Sequence, residues 1–445
     1  MNDSFDPRSY GAMADGHSKD SAAVQAAIDA AAAQGGTVRL AGGTFVCGTL
    51  YLRSNVALEI TNSATLLASP DIADYGTDTH HNRYRNEPEL DRCFLFAQDA
   101  ENVTICGSGV IDGNAAAFPN AGSIYRPMLL RVLRCRNVRV QNLRLLNAAA
   151  WTTAFLDSDF LWATDLHIEN HRNYNGDGLD FDGCRHVWVR GCYIDGTDDN
   201  LCLQSSGLPV QDVHISDCAF TSVCAGIRIG LKSIGEISGV VISNCTMRNI
   251  WREGIKLECT EGGSITDILV ENVAMHNVRR PIFAILNNRY RPDDLGSSVE
   301  LDHIPPIGTM ARLRFVGITA VDDEGMAHAQ RRFDNDIMGE PKFGGCRFDA
   351  NAAHPIEDVT IRDFWYTAIG GVRLADLPAA PYPEVPDRLQ APTAPGSENY
   401  YPNWSRTTHL DARYVRGLTL ENLHFITLHS DERPKMLTEG PTVML

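Results

Sequence analysis

Two short acidic segments hold the residues best suited to chemistry. The first is Asn175-Gly176-Asp177-Gly178-Leu179-Asp180, and the second, about 21 residues later, is Gly196-Thr197-Asp198-Asp199-Asn200. If this spacing corresponds to one turn of a repeating structure, the carboxylates of Asp177, Asp198 and Asp199 lie close together. Like charges at such distances cannot all ionise, so one group should keep its proton near neutral pH while another stays a carboxylate. The cluster predicts a general acid and a general base.

Two other interpretations compete with catalysis. Asp and Asn are favoured in turns, because their side chains bond to their own backbone, and calcium binds grouped carboxylates. Turn chemistry explains one aspartate in each repeat but not the adjacent pair Asp198 and Asp199 facing a third. Catalysis is therefore the favoured interpretation.

A repeated strand pattern indicates the elements that position these segments. Alternation of β-branched residues recurs around Val187, Val213, Val240 and Ile268, at intervals of 26, 27 and 28 residues, and weaker copies occur before and after. A period in this range predicts stacked coils, because one repeat cannot bury its own apolar face. The sequence therefore predicts an all-β solenoid of about ten coils.

A second strand in each coil alternates between apolar and other side chains. The apolar members, predicted to face the interior, are Leu179, Leu201, Ile227 and Ile255. The alternate members, predicted to face outward, are Asp180, Cys202, Arg228 and Lys256. We expect this outward column to form a surface that binds an extended polymer.

The whole chain, residues 1–445, is predicted to be a single domain. Residues 1–36 form a cap, in which Asp20 is expected to accept from the first free amides of an amphipathic helix. Coils occupy 37–428, and 429–445 is a tail. Long insertions near 75–92, 321–353 and 374–404 are expected to wall the groove and so favour exo action on short oligosaccharides.

Composition limits the partners. The net charge of −17 disfavours nucleic acid. This net charge still allows a local positive pocket for an anionic substrate, formed by Arg228, Lys256, Arg279, Arg280 and Arg289 together with Arg83 and Arg85. The alternative is that these are scattered, solvated arginines. No segment has the roughly 18 uncharged apolar residues that span a bilayer, and no signal peptide begins the chain. We therefore expect no membrane partner, and a cytoplasmic protein unless the chain is a mature secreted form.

Metal and cofactor sites are not expected. No Cys-x-x-Cys occurs among the twelve cysteines, and neighbouring histidines His80 and His81 present both rings to one ion poorly. We predict neither a bound metal nor an organic cofactor.

Several segments resemble the polygalacturonase-like family of glycoside hydrolases, family 28. They are Asp6-Pro7-Arg8-Ser9-Tyr10-Gly11-Ala12, the stretch 20–28, Gly107-Ser108-Gly109-Val110-Ile111-Asp112-Gly113 and the two acidic segments. The resemblance implies a single right-handed parallel β-helix that hydrolyses glycosidic bonds with inversion of configuration. Its substrates would be pectin-related oligosaccharides or polysaccharides, or others with acidic or deoxy sugars. It also implies Asp198 as general acid, and Asp177 with Asp199 as activators of water. Asn175 would position a sugar hydroxyl, and the protein would be a monomer or small homo-oligomer.

Two motifs depart from those of the family. Ala225-Gly226 after Cys224 replaces Gly-His-Gly, and Lys256-Leu257-Glu258 replaces Arg-Ile-Lys, which grips the substrate carboxylate. We expect a changed subsite that accepts another uronic acid, rhamnose or a neutral sugar. Arg228 is expected to compensate, because its planar fork suits a carboxylate. Pairing of Glu258 with Lys256, or an ordinary surface ion pair across coils, is the alternative.

Three further residues are predicted to bind substrate. Asp180 belongs to the outward column, Trp151 could stack on a sugar ring or pack in the core, and Arg289 could close the cleft. Two other classes of function stay open at this point. One is a β-helical polysaccharide lyase or fructan-processing enzyme, and the other is a non-catalytic glycan-binding solenoid.

Overall fold

A computed structural model of the protein describes residues 3–79, 91–119, 126–289, 304–323, 325, 344–379, 382, 385 and 404–440. The greater part of each predicted insertion, together with His80 and His81, lies outside these residues. The chain divides into two compact units, which are described separately: Met1–Leu201 with Asp212–His214, and Cys202–Gln211 with Ile215–Leu445.

The described residues of the first unit form one α-helix and a succession of short strands. The helix α1 spans Ser21–Ala32, and 3₁₀ turns occupy Pro7–Tyr10, Ile72–Asp74 and Ala115–Ala117. The strands are β1 (Asp3–Phe5), β2 (Asp15–Lys19), β3 (Gly36–Leu40), β4 (Gly43–Cys47), β5 (Leu50–Leu52), β6 (Val56–Ile60), β7 (Ala64–Ala68), β8 (Cys93–Gln98), β9 (Glu101–Gly107), β10 (Val110–Asp112), β11 (Met128–Leu133), β12 (Arg136–Gln141), β13 (Arg144–Leu146), β14 (Thr153–Leu156), β15 (Asp159–Thr164), β16 (His167–Asn170), β17 (Leu179–Asp182), β18 (Arg185–Arg190) and β19 (Tyr193–Gly196).

The described residues of the second unit form mainly longer strands and include a 3₁₀ turn, Leu374–Asp376. Its strands, of which the first two also contain residues of the first unit, are β20 (Leu201–Ser205), β21 (Val210–Ser216), β22 (Ala219–Ser222), β23 (Ile227–Ser233), β24 (Glu236–Ser243), β25 (Thr246–Cys259), β26 (Ser264–Leu286), β27 (Thr309–Val321), β28 (Cys346–Asp349), β29 (Ile356–Gly370), β30 (Leu410–Arg413), β31 (Val415–His429) and β32 (Met436–Glu439). The segment predicted as a tail includes β32, which pairs in parallel with β30.

Parallel pairing between consecutive coils defines both units. In the first, β11 pairs with β14 and β14 with β17, while β12, β15 and β18 form a second ladder and β13, β16 and β19 a third. In the second, the ladders run from β25 to β26, β27 and β29. Each turn of chain thus adds a strand to three sheets, and such parallel crossovers are right-handed. The predicted fold class, a right-handed parallel β-helix, is confirmed.

The repeat register is also confirmed. Leu161 lies opposite Val187, and Val240 opposite Ile268, with all four side chains buried. Apolar side chains at equivalent positions of successive coils therefore stack in the interior, where rings can lie face to face, as Phe155 and Phe181 do at 4.8 Å. Stacking of this kind buries each coil against its neighbours.

The N-terminal helix is present as predicted, but its capping is different. The apolar stripe of α1, which includes Val24, Ala27 and Ile28, is buried. The predicted capping by Asp20 is wrong, because its carboxylate accepts from the backbone N–H groups of Met13 at 2.7 Å and Ala14 at 3.0 Å. Asp20 therefore ties the preceding loop to the helix instead of satisfying the helix amides. The described residues include no helix with the length and apolar character that a bilayer crossing requires.

Candidate active site

The first acidic segment lies in a turn immediately before β17. The carbonyl oxygen of Asp177 accepts from the backbone N–H of Thr152 at 2.9 Å, and Gly178 donates its N–H to the carbonyl oxygen of Asp199 at 3.1 Å. The turn is thus bonded to the coils on both sides of it. Asp177 itself is almost completely buried.

The side chain of Thr197 ties the second acidic segment to the first. Its hydroxyl accepts from the N–H of Gly176 at 3.0 Å and donates to the carbonyl oxygen of Asn173 at 2.6 Å. The approach requires glycine, because a Cβ atom on Gly176 would lie 2.3 Å from the Thr197 hydroxyl and one on Gly178 would lie 2.2 Å from the carbonyl oxygen of Asn200. The sequence spacing of the two segments therefore becomes direct backbone contact.

The predicted clustering of carboxylates is observed. A carboxylate oxygen of Asp199 lies within 4.8 Å of one of Asp177, and an Asp199 oxygen also lies within 4.8 Å of one of Asp198. Asp199 and Asp177 are buried, whereas Asp198 is partly exposed. Asp198 accepts at its Oδ1 from the Asp199 backbone N–H at 2.9 Å. The trio has the composition that acid–base chemistry needs, with the exposed member able to meet a solute.

The same trio is where a hard cation would bind, since carboxylate oxygens are the ligands that calcium prefers. Calcium binding and catalysis both need this placement, so the placement does not by itself distinguish them. The absence of a metal stays a prediction.

Arg126 organises the first acidic turn and was missed by the sequence interpretation. Its buried guanidinium donates to the carbonyl oxygen of Tyr174 and, at 3.4 Å, to the side-chain oxygen of Asn175. It also lies 5.7 Å from the Tyr174 ring centroid. Asn175, which has a left-handed backbone with φ of 53°, is therefore held by a cation far away in sequence. Arg126 belongs to no repeat pattern, so no sequence signal could have found it.

A histidine–aspartate pair close in sequence to the acidic segments was also missed. The Nε2 atom of His171 lies 2.9 Å from Oδ1 of Asp195, which is the residue before Gly196. The hydroxyl of Tyr193 donates to the other oxygen of Asp195 at 3.4 Å. The pair lies at the end of β19, from which the second acidic segment leaves. The sequence did contain a signal for this pair, because His171 and Asp195 are separated by about one coil.

The predicted outward surface column is wrong. Its members are 3%, 1%, 8% and 0% exposed, in the order Asp180, Cys202, Arg228 and Lys256. Period-2 alternation distinguishes the two faces of a strand, but it does not reveal what covers the outer face. These side chains are buried polar groups and need partners within the protein.

Trp151 packs in the core of the first unit. It is 7% exposed and belongs to an apolar cluster with Phe96, Met128 and Ala154. Of the two predicted roles, packing is the one observed. Asp180 is on β17, where it lies opposite Ala154 in the parallel register.

In the second unit, Arg228 and Lys256 lie opposite each other on β23 and β25. Both contact Glu258: Arg228 Nε is 3.0 Å and Lys256 Nζ is 3.3 Å from its Oε2 atom. The predicted pairing of Glu258 with Lys256 is confirmed. The predicted surface character of such a pair is wrong, since all three side chains are buried.

A second carboxylate completes this charge cluster. Glu253 lies 3.9 Å from Lys256 Nζ and 3.2 Å from Arg280 Nη1. Burial and the charge of Arg252 oppose protonation of Lys256, but Glu258 and Glu253 outweigh them, and the pKa of Lys256 is raised. Lys256 is therefore a cation throughout the neutral range.

Arg289 is placed differently. Its Nε atom donates to the buried carboxylate of Glu261 at 2.6 Å. Its partner is thus an internal acid of the second unit, and the proposed contact with substrate stays a prediction.

Comparison with known proteins identifies the family. The model of glycosyl hydrolases family 28 matches residues 49–300, which is more than half of the chain. The chain therefore belongs to glycosyl hydrolases family 28.

Relatives and a solved structure agree with this membership. The chain is 25% identical over 303 residues to a probable polygalacturonase of Vitis vinifera, covering 61% of this chain and 60% of that protein. It is 24% identical over 334 residues to an exo-poly-α-D-galacturonosidase of Dickeya chrysanthemi, covering 61% and 55%. The chain thus spans less than two thirds of the length of these relatives. An exopolygalacturonase from Thermotoga maritima has the same fold, with a TM-score of 0.65, 21% identity and coverage of 83% and 88%.

Proposed function

We propose that the protein is an inverting, exo-acting hydrolase of uronate-containing pectic oligosaccharides. The observation that carries this proposal is the carboxylate of Asp199 within 4.8 Å of both Asp177 and Asp198, in two turns tied together through Thr197. Family membership and the names of the polygalacturonase relatives support the choice of reaction and substrate class.

In the proposed reaction, Asp198 is the general acid because it is the partly exposed member of the trio. Its carboxyl proton passes to the glycosidic oxygen as the bond from that oxygen to the anomeric carbon breaks. A water held by Asp177 and Asp199 attacks the opposite face of the sugar, and one of these carboxylates takes the proton of the water. The product is a sugar of inverted anomeric configuration. Asn175, fixed by Arg126, is proposed to orient a sugar hydroxyl.

We assign recognition of a substrate carboxylate to Arg228. Its side chain keeps a small exposed fraction, whereas Lys256 is fully buried and cannot reach a solute directly. Lys256 and Glu258 are positioning residues, because Glu258 bridges the two cations and holds the planar fork of Arg228 in place. The departure from the family motif thus moves the carboxylate contact to another strand.

Exo action is supported by the name of the Dickeya chrysanthemi relative and by the long insertions seen in the sequence. An exo enzyme releases one small product from the start of the reaction, whereas an endo enzyme first produces a range of intermediate lengths. Product sizes therefore separate the two modes.

The test is digestion of galacturonan and rhamnogalacturonan oligosaccharides, followed by reducing-sugar assay, product sizing and proton NMR of the first anomer formed. We expect a single small product with inverted configuration and no unsaturated sugar. Random mid-chain products would contradict exo action, and retention would contradict the assigned mechanism. An unsaturated product would show a lyase, and binding without turnover would show a non-catalytic solenoid.

A further inference from the structure

The outward side of the β12–β15–β18 sheet carries a row of stacked planar side chains. The guanidinium carbon of Arg139 lies 3.7 Å from the ring centroid of Trp162. Trp162 stacks on Trp188 at 5.0 Å with 10° between the planes, and Trp188 on His214 at 6.3 Å with 6°. The row occupies one position of successive repeats in the first unit, and it begins with a cation.

A second, shorter row lies beside it. The guanidinium carbon of Arg136 is 4.4 Å from the centroid of Phe160, and Phe160 stacks on His186 at 4.4 Å with 7° between the planes. The centroids of Phe160 and Trp162 are 6.4 Å apart, so the two rows are in contact. Each row thus holds an arginine against an aromatic face.

Stacking determines where these arginines can donate hydrogen bonds. The N–H groups of a guanidinium lie in its plane, so a group stacked on a ring directs them sideways and not into the ring. Within the described part of the chain, no hydrogen bond or ion pair engages Arg139. Arg136 gives Nη1 to Asp159 at 2.7 Å. Arg139 therefore has its N–H groups available to a ligand, whereas Arg136 is partly engaged by Asp159.

A pocket of about 280 Å³ lies on the same face. It is lined by Glu101, Asn102, Arg136, Asn137, Phe160 and Trp162. Its volume is close to the lower end for small-molecule sites, about 300 Å³. Asn137 donates its side-chain amide to that of Asn102 at 2.6 Å, so the polar wall is ordered.

The charge of this face is opposite to that of the protein. Four arginines and one aspartate are present on the three strands, and Glu101 of the adjacent β9 lines the pocket, so positive charges are in excess here although the whole chain has a net charge of −17. Local positive potential attracts an anion even on an acidic protein. Rigid guanidinium forks select planar carboxylates in particular, because they bind them through two parallel hydrogen bonds.

We propose that this face is a second glycan-binding site, which holds a uronate-bearing polysaccharide through its carboxylates. The site uses Arg139 and Arg136 as carboxylate receptors and the pocket beside Phe160 and Trp162 for a sugar ring. The proposed glycan-binding site lies on β12, β15 and β18, whereas the acidic turns precede β17 and β20. The choice of a uronate polymer rests on the proposed function, whereas recognition of a carboxylate rests on the stacked arginines alone.

The test is affinity electrophoresis through gels that contain polygalacturonate, its fully methyl-esterified form or neutral galactan. All proteins carry Asp198→Asn so that the polymer is not cut. The variants are Arg139→Gln, Arg139→Lys and, as a matched loss of one exposed charge, Arg312→Gln, whose native partner is Asp267 at 2.6 Å. Thermal unfolding checks that each variant is folded, and Arg139→Lys keeps the charge if the glutamine variant is unstable.

Arg139→Gln should raise the dissociation constant for polygalacturonate about fivefold to tenfold, as the loss of roughly one hydrogen bond of ordinary strength does. Arg139→Lys should give a smaller rise, and Arg312→Gln none. In the background with native Asp198, Arg139→Gln should hydrolyse a galacturonate trisaccharide at the normal rate. No difference between Arg139→Gln and Arg312→Gln would overturn the proposal, as would an equal loss on the neutral polymer. If sedimentation showed that Arg139→Gln changes the mass of the protein in solution, the face would be an interface between copies, and the proposal would be overturned.

The two proposals can fail independently. Binding that depends on Arg139 without release of reducing sugar by the native protein would leave the glycan face standing and remove the hydrolase. Hydrolysis with no contribution from Arg139 would do the reverse.

Discussion

Asp177 and Asp199 have carboxylate oxygens within 4.8 Å of each other, although they belong to consecutive coils. The backbone bond from Gly178 to the carbonyl oxygen of Asp199 holds them there. Two buried carboxylates at this distance repel each other, and a protein keeps such an arrangement only where the surroundings enforce it. A water molecule between the two carboxylates would reduce this repulsion, since it can donate one hydrogen bond to each of them.

The roles within the trio can be separated by the leaving group. Asp198→Asn should lower kcat on a pectic oligosaccharide by about 10²–10⁴-fold, but much less on an aryl glycoside whose phenolate leaves without protonation. Asp177→Asn and Asp199→Asn should lower both rates, because attack by water is still needed. Asp165→Asn, the same change at an exposed turn of the same unit, is the control. An Asp198→Asn enzyme equally slow on both substrates would assign the acid to another residue.

Close approach of the two acidic turns makes Gly178 sensitive to a single added methyl group. In Gly178→Ala the Cβ would lie 2.2 Å from the carbonyl oxygen of Asn200, so the turns must separate. We expect a stability loss of about 1–3 kcal/mol and a fall in kcat larger than the loss of folded protein explains. Gly42→Ala is the control, because φ there is 60° and the space is open, which leaves only the left-handed backbone cost. Chemical denaturation and steady-state kinetics on both variants check this, and full activity of Gly178→Ala would exclude tight coupling of the turns.

The buried charge cluster of the second unit should depend on each of its members. Lys256→Met leaves Glu258 and Glu253 buried with one cation fewer, and we expect it to lower the free energy of unfolding by about 3–5 kcal/mol. The double variant Lys256→Met/Glu253→Gln should recover part of this loss, because the charge balance is restored. Arg312→Met, which breaks an exposed pair, should cost less than about 1 kcal/mol. If Lys256→Met lowered the free energy of unfolding no more than Arg312→Met does, the members of the buried cluster would not be coupled.

The sequence predicted the coils and the carboxylate cluster for the same reason. A fixed repeat converts distance along the chain into neighbouring positions, so Asp177 and Asp199 could be placed together before any coordinates. For residues outside the repeat, distance along the chain does not predict which residues are in contact. Arg126 reaches Asn175 from a segment with no repeat signal, and Asp20 bonds backbone groups that precede it.

Burial of the second strand face was not predictable from alternation alone. Alternation showed that Arg228 and Lys256 point the same way but carried no information about what covers them. The stacked row did have a signal, because Arg139, Trp162, Trp188 and His214 share one repeat position.

A buried acid in the second unit should make stability depend on pH near neutrality. Burial raises the pKa of Asp322 from its usual value of 3.8 to about 7, although the hydroxyl of Tyr366 donates to it at 3.2 Å. Between these two values the folded protein binds the proton and the unfolded chain does not. Stability therefore falls as pH rises from about 4 to about 7, by at most about 4 kcal/mol, and is constant above that range. In Asp322→Asn this dependence should disappear, and its unfolding free energy should exceed that of the native protein more at pH 8 than at pH 5.

The neighbouring residue provides the matched control. Hydrogen bonds from the Asn277 side chain and the Gly325 N–H lower the pKa of Asp323, so its contribution is present above the ordinary carboxyl pKa and is lost on acidification. Asp323→Asn should therefore leave most of the slope between pH 5 and pH 8 in place, because burial is the main cause that raises the pKa of Asp322 and the charge of Asp323 is a smaller one. Urea denaturation of the three proteins across this range measures the slopes directly. Parallel curves for native protein and Asp322→Asn would mean that Asp322 titrates in the folded protein as it does in the unfolded chain, and that hydrogen bonding offsets its burial.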